Sequence, residues 1–379
     1  MTRGDRLLLL LPLVLTAVGV VMVYSSSSIL GITRFDDPHY YLGKQLFRAM
    51  LGFGVMLLVA RVPLHRLEAL APVLLGAAAA LLVAVVLVGR VSNGAARWLG
   101  IGFLSVQPTD IARLATVVFL AWWLTRRPPE GLGFVRGVLP PLGAVAVVAG
   151  LILLQPNLSS AALLGLTGML MLFLGGARIR HLLIPVAGGA AAAALALATH
   201  PYMMRRVETY VGFLFGGELD TRGPGWQLDQ SLIAIGSGGW FGRGIGAGLQ
   251  KYLFLPEAHT DFIYSILAEE TGFIGSTVLI ALLAALAWRG LRTTMRAEDR
   301  FAYLLAGGLT VQLSLYAIAN LSVATGLAPT TGLPLPYVSY GGSALLANMA
   351  AAGLLYRVST GNARHEALTR ERWAREVTA

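Results

Sequence analysis

The sequence predicts an all-α polytopic membrane protein of about ten transmembrane helices, and three observations carry that expectation. Of 379 residues, 56% are hydrophobic and only 13% charged, with a mean hydropathy of +0.70, far more apolar than an average soluble domain. Ten apolar runs approach the roughly 20 residues that cross about 30 Å of hydrocarbon at 1.5 Å each. The 29 basic residues, 27 of them Arg, are shared unequally between alternate connecting segments, as membrane orientation requires. Helix is the open-chain solution, because lipid offers no partner to a free backbone N–H or C=O.

The runs lie near residues 7–24, 44–60, 70–90, 108–125, 136–154, 158–175, 181–199, 262–288, 301–324 and 341–357. The first follows Arg3 and Arg6 like a signal peptide, but Tyr24-Ser25-Ser26-Ser27-Ser28 offers no small-x-small cleavage site, so a retained helix is expected. With the N-terminus in the cytoplasm, inner segments hold 18 Lys and Arg and short outer segments five. The long segment 200–260 is too long to count as a topology signal. Both termini are therefore expected inside, and loops 25–43, 91–107, 155–157, 200–260 and 326–340 outside, the longest lying between spans 7 and 8. Residues 1–360 read as one membrane domain and 361–379 as a basic cytoplasmic tail against lipid headgroups. The net charge of +10 thus describes orientation and not nucleic-acid binding. The absence of cysteine excludes disulfides, thiolate metal sites and a Cys nucleophile.

Motif-like sequence gathers in the outer loops. Asn93-Gly94-Ala95-Ala96-Arg97-Trp98 couples turn formers to a cation and an indole, which also suits an aromatic-belt anchor. Gln155-Pro156-Asn157 is a tight break whose amides could cap the flanking helices. Residues 325–343, TGLAPTTGLPLPYVSYGGS, are too rich in Pro and Gly to be helical, and such backbone is tolerated at membrane depth only where protein buries it or it lines a wet cavity. The glycine tract 236–246 lacks the flanking strand and Walker lysine of a nucleotide site. No His cluster has metal-ligand spacing.

The stretch 255–275, LPEAHTDFIYSILAEETGFIG, carries Glu257, Asp261, Glu269 and Glu270 from the longest polar segment into an apolar run. A charge at bilayer depth costs about 2.5–3.5 kcal/mol on insertion scales, so these carboxylates need partners, water or a task. Asp261 suits either a helix-capping carboxylate or a reactive one. Glu269 falls about 12 Å deeper and some 80° around an unbroken helix, nearer the face of Asp261 than Glu270 is. Asp110 and Arg113, at i and i+3, either neutralise one another or Arg113 meets Glu269 or Glu270. His259 is a proton partner or a packed loop histidine.

The phrases GAARWLGIG (94–102), QPTDIARLA (107–115), QPNLSSA (155–161), QSLIAIGSGG (230–239), LPEAHTDFI (255–263) and PLPYVSYGGS (334–343) resemble those of the SEDS family (shape, elongation, division and sporulation). Its members are ten-span bacterial glycosyltransferases that polymerise lipid II into peptidoglycan glycan strands. The resemblance covers nearly the whole chain and is closer to the division branch than to the elongation branch, although Thr331 stands where division members usually carry Lys. It implies that Asp261 is the essential aspartate, Trp98, beside Arg97, the functionally important tryptophan, and Arg205-Arg206 the basic pair opening the large outer loop. Asp110 and Arg113 occupy the usual Glu and Lys positions, keeping charge but not geometry. Asn157 replaces an Asp, which removes an acid–base or metal role there.

Joining a glycan to the 4-hydroxyl of an acceptor sugar, with a polyprenyl pyrophosphate leaving, needs a base, cations for the departing charge and a route for the lipid tail. Asp261 is the expected base, with Arg97, Trp98, Arg205, Arg206, Arg243, Lys251, Glu257 and His259 as substrate-binding residues. Asp110, Arg113, Glu269, Glu270, Ser339 and Tyr340 form the expected supporting network. A divalent ion, Mg2+ or Mn2+, shared by a carboxylate fits this chemistry, and no organic cofactor is expected. The resemblance further implies a class B penicillin-binding transpeptidase partner, other divisome or elongasome membrane proteins, and an active site facing outward from the bacterial cytoplasmic membrane. A lipid II flippase is the alternative, supported by the charged interior and the broken segment 325–340.

Overall fold

A computed structural model of the chain describes residues 4–92, 95–101, 104–199, 201–215 and 224–378. Asn93-Gly94 and Gly102 of the motifs above, and residues 200 and 216–223 of the long segment 200–260, lie outside them. Every one of the ten apolar runs falls on a helix. These are α1 (Leu7–Phe35), α2 (Tyr40–Val59), α3 (Leu64–Val88), α4 (Pro108–Arg126), α6 (Leu139–Leu153), α7 (Leu158–Leu174), α8 (Ile179–Thr199), α11 (Ile263–Met295), α12 (Arg300–Ala324) and α13 (Gly342–Thr378). A short α5 (Pro129–Gly133) and a π-helical turn, Phe134–Val138, lead into α6, while α9 (Pro201–Leu214) and α10 (Pro224–Ser237) lie between α8 and α11. Among the described residues, seven helical segments are long and apolar enough to cross a membrane.

Helix ends follow local chemistry. Prolines open α4, α9 and α10, where a missing N–H costs nothing. Asn157 caps α7 by accepting the Ser160 N–H (3.2 Å), and Asp299 caps α12 through the Ala302 N–H (2.7 Å). α12 is the central helix, with Leu304, Leu305, Ala306 and Leu309 fully buried, as expected of a helix apolar on all sides. α1 and α12 pack on α11, α2 on α13, and α3 and α12 on α4. α8 leaves most of its surface exposed.

Three expectations about the outer segments need correction. The serine run does not begin a loop: α1 continues to Phe35, because the Ser26 and Ser27 hydroxyls donate to the Met22 and Val23 carbonyls (2.7 and 2.6 Å) and are satisfied within the helix. The segment 91–107 holds a small antiparallel sheet, β1 (Arg90–Ser92), β2 (Ala95–Ile101) and β3 (Leu104–Val106) in that order, with Arg90 opposite Trp98. The segment 200–260 is not one loop, since α9 and α10 occupy much of it. At the other end, α13 runs unbroken past 361 to Thr378.

Candidate active site

The carboxylate-bearing stretch is built around a break in α11. Gly272 has φ 67° and ψ −164°, inside an otherwise helical run. A Cβ there would lie 2.3 Å from the Gly242 nitrogen, so both the dihedral and the crossing chain demand glycine. Breaking a helix strands carbonyls, and the glycine tract recovers them: the Arg243 and Gly244 N–H groups donate to the Glu269 and Glu270 carbonyls (both 3.0 Å). In return, the Phe273 and Ile274 N–H groups donate to the Gly239 and Trp240 carbonyls (2.8 and 3.2 Å). The glycines are therefore a strap across the kink.

The strap also carries the partners of both glutamates. Glu269 accepts the backbone N–H groups of Leu249 (2.8 Å) and Gln250 (3.2 Å), with Arg243 3.9 Å away. Glu270 accepts from Lys251 (3.0 Å), the Ser25 hydroxyl (2.6 Å) and the Gly248 N–H (3.3 Å). Both carboxylates thus face residues 243–251, and Glu270 is not turned away from a face that Glu269 lines. Neither pairs with Arg113. That guanidinium meets Asp110 (3.6 Å), donates to the Asn348 side chain (2.8 Å) and stacks on Tyr316 (4.2 Å), while Asp110 accepts from Ser343 (2.7 Å). Lys251, expected among the substrate cations, is 6% exposed with its charge committed to Glu270.

Asp261 is held differently. It lies in the turn before α11, outside the spanning helices, and Phe262 rather than Asp261 is the N-cap residue, without a side-chain cap bond. The Glu257 carbonyl, at a residue with φ 54°, accepts the N–H groups of Thr260, Asp261 and Phe262 (3.1, 3.1 and 3.3 Å). The segment after α12 folds over this turn. Asn320 donates to the Asp261 and Leu333 carbonyls (2.8 and 2.7 Å), Ser339 to the Thr260 carbonyl (2.6 Å), and the Tyr340 N–H to the His259 carbonyl (2.9 Å). A Cβ on Gly332 would come 3.7 Å from Asp261 Oδ2. Among the described residues, no hydrogen bond reaches the half-buried Asp261 carboxylate.

Burial raises the Asp261 pKa to about 7; neighbouring Glu257 pushes in the same direction, and the Arg206 and Arg97 guanidiniums pull against both. Arg206 donates to the Thr330 carbonyl (2.9 Å) and Arg97 to the carbonyls of Gln155 (3.0 Å) and Pro156, so two separate turns brace the cations. Of the basic pair, Arg205 is exposed and Arg206 half-buried. His259 is buried between the rings of Tyr41 (4.9 Å) and Tyr340 (5.4 Å), and burial lowers its pKa. Glu257 is exposed and accepts from the Thr260 hydroxyl (2.9 Å), and Trp98 is half-buried on β2.

The structure therefore brings together Asp261, Glu257, His259, Arg97, Arg206 and Tyr340, and it assigns Glu269, Glu270, Arg243 and Lys251 to the strap. Among the described residues, no three His, Asp or Glu side chains cluster as a metal cage. The pair Asp261 and Glu257 still suits Mg2+, which often takes one or two carboxylates and completes its shell from substrate phosphates and water. Sequence reasoning missed Asn320, Asn348 and Ser25. The signal for the two asparagines was a lone polar amide within an apolar run.

The match to a model of cell-cycle proteins, the FtsW, RodA and SpoVE family, runs from residue 5 to 364. The stage V sporulation protein E of Bacillus subtilis is 36% identical over 360 residues, covering 94% of this chain and 97% of that protein. A protein described as a probable peptidoglycan glycosyltransferase FtsW, from Geobacter sulfurreducens, is 37% identical over 360 residues, at 94% and 95% coverage. Among solved structures, a chain of a peptidoglycan synthase complex that coordinates polymerisation and crosslinking superposes with a TM-score of 0.78 at 30% identity, covering 95% of this chain and 98% of that one. The rod shape determining protein RodA of Thermus thermophilus gives 0.69 at 30% identity, covering 94% and 96%. The chain belongs to the FtsW/RodA/SpoVE family of cell-cycle proteins.

Proposed function

We propose that the protein is an inverting peptidoglycan glycosyltransferase that polymerises lipid II at the outer face of the bacterial cytoplasmic membrane, in division or cell-shape elongation. The observation that carries this reading is the Asp261 carboxylate: half-buried, without a hydrogen bond among the described residues, and titrating at about 7 beside two braced arginines. A general base works best when its pKa lies near the working pH. Asp261 takes the proton of the acceptor 4-hydroxyl, the freed oxygen attacks C1 of the donor sugar, and the C1–oxygen bond to pyrophosphate breaks. Single displacement turns an α-linked donor into a β-1,4 product and needs no covalent nucleophile. Arg206 and Arg97 offset the charge developing on the leaving group. A divalent cation held by Asp261 and Glu257 would add to that neutralisation when bound.

In this reading the chain makes ten spans, and the excess of Lys and Arg in alternate segments supports both termini in the cytoplasm and the Asp261 turn outside. Residues 1–360 then form the membrane domain, with 361–379 as its basic end. A class B penicillin-binding transpeptidase is the proposed partner for crosslinking, within a larger divisome or elongasome assembly. The flippase reading draws on the non-helical segment 325–341 folded over charged groups. Lipid II polymerisation by the purified protein in detergent separates the two, since there is no second compartment into which to flip. Glycan strands made by wild type and lost in Asp261→Asn support the glycosyltransferase; no product from wild type, with or without the transpeptidase, rejects it.

A further inference from the structure

α2 carries two buried polar side chains whose hydrogen-bonding capacity is not met among the described residues, Gln45 wholly and Arg48 in part. Gln45 is fully buried, and neither its amide nitrogen nor its oxygen has a hydrogen-bond partner. Arg48, one turn further, is 8% exposed, its Nη1 is buried without a partner, and no described carboxylate pairs with it. Its guanidinium lies 4.6 Å from the Tyr340 ring centroid and against Gly342, where a Cβ would stand 3.2 Å from Nε and 3.3 Å from Cζ. Gly342 is the first residue of α13, so the positive end of a long helix dipole meets a buried cation. Asp110 reaches this turn through the Ser343 hydroxyl but is paired with Arg113, so Arg48 keeps no carboxylate of its own among the described residues, although a buried charge is tolerated when it is paired.

We propose that Gln45, Arg48 and the first turn of α13 form a site for a phosphate-class anion, filled in function by the lipid-proximal phosphate of a polyprenyl pyrophosphate. This rests on the glycosyltransferase reading and extends it. Tyr340 joins the two places: its ring packs on Arg48 and also lies 5.4 Å from His259, two residues before Asp261. Arg48 sits seven residues along α2 from Tyr41, which itself packs on His259, so it lies about 10 Å further along the helix. Arg206 and Arg97 thus attend the reacting end of the donor, and Arg48 holds the phosphate nearer the lipid tail. Gly342, having no side chain, lets the Arg48 guanidinium lie against the first turn of α13.

The test uses the full chain in lipid nanodiscs with three probes: undecaprenyl pyrophosphate, undecaprenol and inorganic pyrophosphate. Wild type is expected to gain thermal stability from undecaprenyl pyrophosphate, less from inorganic pyrophosphate, and none from undecaprenol. Arg48→Gln should bind the lipid pyrophosphate roughly tenfold more weakly or worse, a loss of about 1.4 kcal/mol or more, while its unliganded Tm equals or exceeds wild type because an uncompensated buried charge is gone. Arg48→Lys should keep part of the binding. A lowered unliganded Tm with unchanged lipid pyrophosphate affinity would make Arg48 structural and sink the site. Equal affinity for inorganic and lipid pyrophosphate would overturn the lipid assignment. If wild type binds undecaprenyl pyrophosphate through Arg48 yet makes no glycan, the activity falls and the site stands; if it makes glycan and Arg48→Gln leaves the lipid II KM unchanged, the reverse holds.

Discussion

Two sets of carboxylates stand within nine residues of each other at the head of α11, and the fold treats them in opposite ways. Glu269 and Glu270 are fully enclosed and receive backbone N–H groups, a lysine and a serine hydroxyl from the strap and α1. Asp261 keeps a carboxylate with no such bonds, in a turn whose backbone, by contrast, is pinned by Asn320 and the Glu257 carbonyl. Position is fixed in one case through the side chain and in the other through the main chain. A side chain left free of bonds in a fixed turn is what proton transfer needs.

The largest expected effect breaks that contrast at Asp261. Asp261→Asn should reduce lipid II polymerisation by about 10²–10⁴-fold, without loss of stability. The pKa raised from 3.8 to about 7 means that the folded state holds this proton more tightly than the unfolded chain does. Stability therefore drains away as pH rises across that interval. Asp261→Asn removes the penalty, so its Tm should exceed that of wild type at pH 8 and the gap should close below pH 4. A variant less stable than wild type at pH 8 would show that the carboxylate is a structural group.

The pH dependence of turnover sharpens the same point. In wild type, kcat/KM should climb tenfold per unit at acid pH and level off above about 7, when the carboxylate is ionised. A flat profile from pH 5 to 8 would remove Asp261 from the base role.

For the enclosed pair the order of effects reverses. Glu270→Ala leaves Lys251 buried and unpaired, which costs about 3–5 kcal/mol, whereas Glu269→Gln keeps an acceptor for one of the two strap N–H groups and loses the other bond, which should cost about 1–2 kcal/mol. Chemical denaturation of the two variants, each with its residual activity measured, checks this ranking; equal costs would show that Lys251 finds another partner. The smallest effects belong to the basic pair. Arg206→Gln should raise the lipid II KM by roughly tenfold, and Arg205→Gln, at an exposed position, should fall within about 0.5 kcal/mol of wild type in stability and leave KM unchanged.

The spanning segments were legible because in lipid an apolar run of sufficient length has no structural choice but helix. The i, i+3 spacing also showed that Asp110 and Arg113 could meet, and they do. Partners remote in sequence leave no such trace. Lys251 reaches Glu270 from the preceding turns, and Ser25 reaches it from the first helix; neither has a period to betray it. The serine run misled because its residues favour turns in water, while inside a protein their hydroxyls return to their own helix. The glycine tract read as a loop because its reason, the break at Gly272, lies in another segment.

The first helix is fastened to α11 twice, by Asp5 to Arg289 at one end and by Ser25 to Glu270 at the other. These contacts join residues 284 and 245 positions apart. Neither contact can form before Glu270 and Arg289 have been made, although α1 already packs on α2, and the Asp261 turn gains the partners that pin it, Asn320, Ser339 and Tyr340, only later still. A nascent chain therefore remains incapable of chemistry until nearly all of it has been inserted.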